Sequence, residues 1–88
     1  MTTNGLTRDD VLQKVREHLS TELEIPLDQI SESTRMRDDL DADSLDLYEL
    51  VMELEDTYGI SVSEEEAADI ETVAQAADFV AGRLGAAA

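Results

Sequence analysis

Apolar residues recur three and four positions apart in four stretches of the chain, a spacing that places them on one face of an α-helix. The first predicted helix runs from about Arg8 to Glu22, and Thr7 with Asp10 at its start is typical of a capping box. Its inward face is predicted to consist of Val11, Leu12, Val15, Leu19 and Leu23. The second helix begins at Ser44 and ends near Thr57, where Gly59 supplies the positive φ that often terminates a helix.

The second helix distributes its apolar residues unevenly around its axis. A stripe at i, i+3, i+4 and i+7 is predicted to face inward, and it consists of Leu47, Leu50, Val51 and Leu54. Three other apolar side chains fall on or beside the outward face, namely Leu45, Tyr48 and Met52. This helix is therefore predicted to leave large apolar side chains next to water.

Two further helices are predicted in the second half of the chain. A short one spans Glu64 to Ala68, where Ser63 and Glu66 form another capping box. Thr72 caps the last helix, which extends to Leu84. The inward positions of that helix are Val73, Ala76, Ala77, Val80 and Leu84.

A long loop from Ile25 to Ala42 joins the first two helices. Pro26 ends the first helix, because the residue before a proline is pushed out of the helical region. A loop of this length is uncommon in a small domain unless it is held to the core, and a short helical turn is expected near residues 26–30. The apolar residues expected to hold it are Leu27, Ile30, Met36 and Leu40.

These elements predict an all-α fold, a small four-helix bundle of three main helices and a short third helix. Residues 60–62 alternate like a strand but have no pairing partner, so no sheet is expected. A chain of 88 residues supports one hydrophobic core, predicted to lie within residues 1–84, with residues 85–88 as a disordered tail. The chain has only two Tyr, one Phe and no Trp, so this core must be aliphatic, and we expect a monomer.

The composition is strongly acidic. Twenty-two acidic and six basic residues give a formal net charge of −16, which argues against binding to nucleic acid or to anionic membrane surfaces. The chain contains no cysteine, so any thiol chemistry must be supplied by a covalently attached group. No signal peptide and no apolar run long enough to span a membrane is found, so we expect a cytoplasmic protein.

The negative charge is densest around Ser44. Between Asp38 and Asp56 there is no Lys or Arg, and the acidic residues are Asp38, Asp39, Asp41, Asp43, Asp46, Glu49, Glu53, Glu55 and Asp56. If Asp43 is the helix N-cap and Asp46 is at N3, Ser44 occupies N1 with its hydroxyl in water. A phosphodiester on Ser44 would gain about 0.3–1 kcal/mol from the positive end of the helix, partly offset by the two aspartates. By itself, Asp-Ser-Leu is common at helix starts.

The surroundings of Ser44 make the motif more specific. Residues 40–54, LDADSLDLYELVMEL, closely resemble the attachment region of acyl carrier proteins, in particular the discrete carriers of bacterial fatty-acid synthesis. The resemblance continues through EDTYGI at 55–60, SEEEA at 63–67 and IETV at 70–73, and it covers nearly the whole chain. It implies that Ser44 receives 4'-phosphopantetheine from coenzyme A through a Mg²⁺-dependent phosphopantetheinyl transferase. It also implies a carrier of acyl thioesters that is not itself an enzyme and has no catalytic residues and no dedicated metal site.

The resemblance also implies two sets of surrounding residues. The partner-docking face would consist of Asp43, Leu45, Asp46, Tyr48, Glu49, Met52, Glu53 and Asp56. An acyl-binding cavity between the helices would be lined by Leu50, Val51, Leu54, Ile70 and Ala76. The implied partners are the transferase and ketosynthase, acyltransferase, reductase and dehydratase enzymes with basic docking patches. Exposed charge pairs contribute only about 0–1 kcal/mol each, so these encounters are expected to be weak and sensitive to salt.

Three positions depart from the family pattern. Asp41 stands where a glycine usually precedes the attachment serine by three residues, Met36 replaces an aromatic residue of the loop, and Tyr48 replaces a small β-branched residue. These departures keep open a specialised carrier for polyketides or modified lipids. Carriers of peptide synthesis fit less well, because their Gly-Gly-x-Ser arrangement is replaced here by Asp-Ala-Asp-Ser.

The acidic composition also suggests two other classes of protein. An EF-hand counted from Asp41 would place Asp46 where glycine is required and Met52 where the bidentate glutamate is required, so this interpretation fails. An acidic interaction module in which Ser44 is not modified remains the alternative. It predicts no covalent modification of the chain.

Overall fold

The computed structural model describes residues 7–84. These residues form four α-helices in the predicted order. Helix α1 spans Arg8–Leu23, α2 spans Ser44–Tyr58, α3 spans Glu64–Ala68 and α4 spans Val73–Leu84. The helices α1 and α2 each end one residue later than predicted, and no strand is present among the described residues. The all-α prediction is confirmed. The tail predicted at 85–88 lies outside the described residues.

Each helix begins at a side chain that accepts a hydrogen bond from the backbone. Reciprocal capping boxes join Thr7 to Asp10, Asp43 to Asp46, and Ser63 to Glu66. At the start of α4, the Thr72 hydroxyl accepts from Gln75 N at 3.1 Å, and the Gln75 carbonyl oxygen accepts from Thr72 N at 2.9 Å. These pairs fix the four helix starts, including the one that positions Ser44.

The core lies between α1, α2 and α4, with α1 packed against both of the others. Its buried helical residues are Val11, Val15, Leu19, Leu50, Leu54, Val73, Ala76, Ala77, Val80 and Ala81. Leu12, Leu23, Leu47, Val51 and Leu84 were also predicted to face inward, but they are only half-buried. As predicted, the core is aliphatic, and the described Tyr and Phe side chains lie at or beyond its edge.

Three of the four apolar residues that were predicted to hold the long loop, Ile30, Met36 and Leu40, lie in or against the core. Ile30 and Met36 are buried, whereas Leu27 and Leu40 are half-buried. The expected helical turn is a 3-10 turn at Leu27–Gln29.

Hydrogen bonds also tie the loop to the rest of the molecule. Met36 N donates to Glu71 O at 3.0 Å, and Val73 N donates to Thr34 O at 3.1 Å. The Arg16 guanidinium on α1 donates to two loop carbonyls. The loop is therefore an ordered layer that brings Arg37 and Ala42 to the start of α2.

The Ser44 surface as a candidate attachment site

Ser44 is the first residue of α2 and is exposed to solvent. Asp46 N donates to Asp43 Oδ1 at 2.9 Å, and Asp43 N donates to Asp46 Oδ2 at 3.1 Å, so one oxygen of each carboxylate is engaged by the helix start. The Ser44 hydroxyl makes no hydrogen bond to another described residue. An enzyme can therefore reach this oxygen without first displacing a protein group.

The outward face of α2 carries the large apolar side chains that the sequence predicted there. Leu45 is 63% exposed, Tyr48 59% and Met52 46%. These three are the described large apolar residues with the greatest exposure, and they share a face with Ser44. An exposed apolar group on a monomer often marks a contact surface, so the position of this patch next to Ser44 suits a docking role.

An open groove of about 330 Å³ begins beside Ser44 and runs between α2 and α3. Its lining is largely apolar, and it includes one cation, Arg37, and one carboxylate, Glu64. The residues that line it are Arg37, Ser44, Leu47, Tyr48, Val51, Val62, Ser63, Glu64, Ala67 and Ala68. Tyr48, which replaces the small β-branched residue of the family pattern, is one of these lining residues.

A second space lies deeper, between α2, α3, α4 and the loop. It amounts to only about 10 Å³, roughly the space one water molecule needs. Its lining contains all five residues predicted for an acyl cavity, together with three that sequence reasoning did not include: Met36, Leu47 and Ala67. Leu47, Val51 and Ala67 line both spaces, so these three side chains form the boundary between groove and cleft.

The acidic residues of α2 are not equivalent. The Lys14 ammonium lies 3.4 Å from Glu53, and this pairing, with a hydrogen bond from Thr57, holds the pKa of Glu53 below its ordinary value. The Glu55 carboxylate accepts from Val62 N at 2.8 Å and so fastens the α2–α3 connection. Asp56 is exposed. Glu53 and Glu55 thus form contacts within the fold, which their place in an acidic run did not indicate.

Glu49 faces a different neighbour. A hydrogen bond with Glu22 of α1, and the repulsion between the two carboxylates, raise the pKa of Glu49. Carboxylate oxygens of Glu22, Asp46 and Glu49 lie within 4.8 Å of one another. Exposed acidic groups are common without an ion, and we assign no metal to this cluster. It is a place where three like charges crowd together on α1 and α2.

Comparisons with known proteins agree with this geometry. The family model described as a phosphopantetheine attachment site matches residues 13–80. The chain is 41% identical over 75 residues to an acyl carrier protein of Rubrobacter xylanophilus, covering 85% of this chain and 93% of the relative. It is 42% identical over 72 residues to an acyl carrier protein of Treponema denticola, covering 82% and 92%. The chain belongs to the acyl carrier protein family.

A solved structure extends the likeness to three dimensions. The acyl carrier protein from Enterococcus faecalis superposes with a TM-score of 0.76 at 43% identity, and covers 88% of this chain and 98% of its own. Acyl carrier proteins are carriers and not enzymes, and the prosthetic group of this carrier is a covalently attached 4'-phosphopantetheine. No described helix is both long enough and apolar enough to cross a membrane.

The residues around Ser44 fit that group. The arm needs a reachable hydroxyl, and Ser44 supplies one at the positive end of a helix. It is largely a flexible chain with a phosphodiester at one end and a thiol at the other, and the adjoining groove offers apolar walls and one cation. The family motif singles out Ser44 in the sequence. The groove could not be predicted in this way, because it is formed by three separate segments of the chain.

Proposed function

We propose that Ser44 carries the 4'-phosphopantetheine and that the protein delivers acyl chains, as thioesters on that arm, to enzymes of fatty-acid synthesis. The observation that supports this most directly is an exposed serine hydroxyl, without a hydrogen-bond partner among the described residues, at the start of α2. The arm supplies the thiol that this cysteine-free chain lacks. The chain's own residues position, shield and present it.

Attachment requires one new bond at Ser44. The Ser44 Oγ bonds to the phosphorus that carries the pantetheine of coenzyme A, the pyrophosphate P–O bond breaks, and adenosine 3',5'-bisphosphate leaves. The hydroxyl proton passes to a base of the phosphopantetheinyl transferase. The Asp43–Asp46 capping box would hold the serine at the helix start while this occurs.

Docking of partner enzymes is proposed on the outward face of α2. The exposed Leu45, Tyr48 and Met52 would form its apolar centre. Around it stand the proposed acidic contacts Asp43, Asp46, Glu49, Glu53 and Asp56. Basic patches on a transferase, ketosynthase, acyltransferase, reductase or dehydratase would complement this face. Because Glu53 is already paired with Lys14, its share in docking should be smaller than that of Asp56.

The cleft beneath Leu47, Val51 and Ala67 is the proposed seat of the acyl chain. At about 10 Å³ it holds no chain in the present conformation, so the surrounding helices must separate to admit one. Leu50, Leu54, Ile70 and Ala76 would line the opened space. The short α3 is the element with the least to hold it, because it has five residues and none is buried.

Intact-mass measurement tests the proposal. The protein is incubated with coenzyme A, Mg²⁺ and a broad-specificity phosphopantetheinyl transferase, and Ser44→Ala is treated in parallel. One phosphopantetheine should add to the wild type and none to the variant. Ser63, which lines the same groove, is a matched control, and Ser63→Ala should load like the wild type. Failure of a folded, verified unmodified wild type to gain the group would overturn the proposal and favour an unmodified acidic module.

A specialised carrier is the second candidate, because Tyr48 stands 59% exposed in the groove beside Ser44. A bulky phenol there changes the surface that a partner meets. Mass spectrometry of the acyl groups on the carrier, purified from its own cells, would separate the two. Saturated chains of graded length support fatty-acid synthesis, whereas one recurrent unusual acyl group supports a specialised pathway.

A further inference from the structure

Arg37 is a cation without a counter-ion among the described residues. The other five basic side chains are all engaged: Arg8 with Glu32 and Asp78, Lys14 with Glu53, Arg16 with loop carbonyls, Arg35 with Asp38, and Arg83 with Glu66 and Ser61 O. Arg37 is exposed, and its guanidinium makes neither an ion pair nor a hydrogen bond within residues 7–84. Because the Arg37 guanidinium has no partner within the described residues, it is available to bind an anion from another source.

The position of Arg37 suggests which anion that is. Arg37 and Ser44 line the same groove, and Arg37 is its one cation. On its other side Arg37 borders a polar hollow of about 200 Å³ with Arg35, Asp38 and Glu71, but neither acid pairs with it. A guanidinium presents a planar set of donors that matches phosphate oxygens, and such charge-assisted hydrogen bonds are among the stronger ones in proteins.

We propose that Arg37 binds the phosphodiester of the arm on Ser44 and so holds the arm in the groove between α2 and α3. This rests on the proposed attachment at Ser44. The apolar walls at Tyr48, Val51 and Val62 then cover the pantetheine portion, while Glu64 repels the phosphate and leaves Arg37 as its favoured partner. Arg37 is thus a positioning residue, and a partner enzyme must lift the arm from the groove before it can use the thiol.

The absence of cysteine makes this proposal directly testable. In the loaded carrier the thiol of the arm is the sole thiol, so a nitroxide spin label attaches there and nowhere else. Paramagnetic broadening of amide NMR signals then reports where the end of the arm spends its time. The proteins to compare are wild type, Arg37→Gln, and the matched control Arg35→Gln, which alters a neighbouring loop arginine that pairs with Asp38 and does not line the groove.

The wild type should show broadening at Val62, Ala67 and Ala68, and added salt should reduce it. Arg37→Gln should lower the ratio of docked to free arm about twofold to fivefold, the range expected for an exposed ion pair, and should remove most of the salt dependence. Arg35→Gln should behave like the wild type. Chemical shifts of the unloaded variants verify that both fold.

Equal groove broadening in wild type and Arg37→Gln would overturn the role of Arg37, as would a wild-type arm that broadens no groove amide. Equal losses in both arginine variants would also overturn it, because they would indicate a general effect of charge. Each of these outcomes is obtained on a carrier that has already gained the arm. Failure of the proposed attachment is seen earlier and separately, as a missing mass addition at Ser44.

Discussion

Asp41 adopts a left-handed backbone conformation, with φ of 58°, three residues before Ser44. The family resemblance placed a glycine at this position, and the positive φ is a physical reason for one, because glycine has no Cβ to clash there. Aspartate tolerates this conformation better than most residues, so Asp41 can replace the glycine at a small cost in stability. The strain lies in the loop and not at Ser44.

Asp41→Gly should therefore raise the free energy of unfolding by up to about 1 kcal/mol, as measured by urea denaturation. The change also removes a negative charge from a crowded region. Asp41→Asn removes the same charge but keeps a side chain, so it separates the two causes. If Asn stabilises the protein as much as Gly does, charge rather than backbone conformation explains the gain.

The contact of Glu22 with Glu49 should make stability depend on pH. The pKa of Glu49 is raised, first by its hydrogen bond with Glu22 and then by repulsion from it, while His18, Asp43 and Asp46 are its other charged or titratable neighbours. A carboxyl whose pKa is higher in the folded protein destabilises the fold when it is ionised. This penalty is absent at low pH, grows as the pH rises through the ordinary value of 4.5, and is complete above the raised pKa.

Glu22→Gln should accordingly raise the melting temperature near neutral pH, and the gain should shrink as the pH falls. Glu66→Gln is a control of opposite sign, because the Ser63 backbone and Arg83 lower the pKa of Glu66. Its carboxylate stabilises the fold above the ordinary pKa, and this stability is lost as the pH falls through the lowered value. Melting curves at several pH values check both, and a Glu22→Gln gain independent of pH would contradict the explanation.

At the scale of elements, the helices could be predicted because each carries its own start signal. The pairs Thr7–Asp10, Asp43–Asp46 and Ser63–Glu66 lie three residues apart in sequence and are satisfied locally. The end of α1 carried no such signal, since a glutamate, Glu24, adopts the left-handed conformation there with φ of 58°. Both α1 and α2 extend one residue beyond their predicted ends, because Pro26 and Gly59 limit where a helix can stop but do not fix its last residue.

Contacts between elements were beyond the reach of sequence patterns. The Arg16 bonds to the loop, the Glu55 bond to Val62 N and the Arg83 contacts with α3 join elements that have no common motif. The same applies to the groove beside Ser44. Its walls come from the loop, α2, the α2–α3 connection and α3 itself, and only their packing shows that Arg37 and Ser44 share it. The position of Ser44 at a helix start and the exposed apolar residues beside it could be predicted from the sequence, whereas the groove that Arg37 and Ser44 share could not.

At the scale of the whole molecule, the large negative charge should lower the stability of the fold and strengthen the docking of basic partners. The net charge of −16 makes the folded chain repel itself, and it also attracts basic partners. Added salt screens both interactions. We expect the melting temperature to rise between low and moderate salt while the affinity for a phosphopantetheinyl transferase falls.

Circular dichroism melting and a binding titration in the same buffers check this pair of effects. Melting temperatures are compared in NaCl and in MgCl₂ at equal ionic strength. Screening should be the same in both salts, so any further rise with MgCl₂ reports binding of Mg²⁺ by carboxylates. A larger rise with Mg²⁺ that is reduced in Glu22→Gln would locate ion binding at the cluster with Asp46 and Glu49. A melting temperature insensitive to both salts would show that charge repulsion does not limit the stability of this fold.

The boundary formed by Leu47, Val51 and Ala67 has a consequence for the lifetime of a cargo. If the acyl chain is seated in the cleft as proposed, its thioester is drawn away from water, whereas a thioester in the outer groove is open to hydrolysis. The hydrolysis half-life of the loaded carrier would then depend on how often the boundary opens. Ala67 is the smallest of the three side chains, so we expect substitutions on α3 to change that half-life.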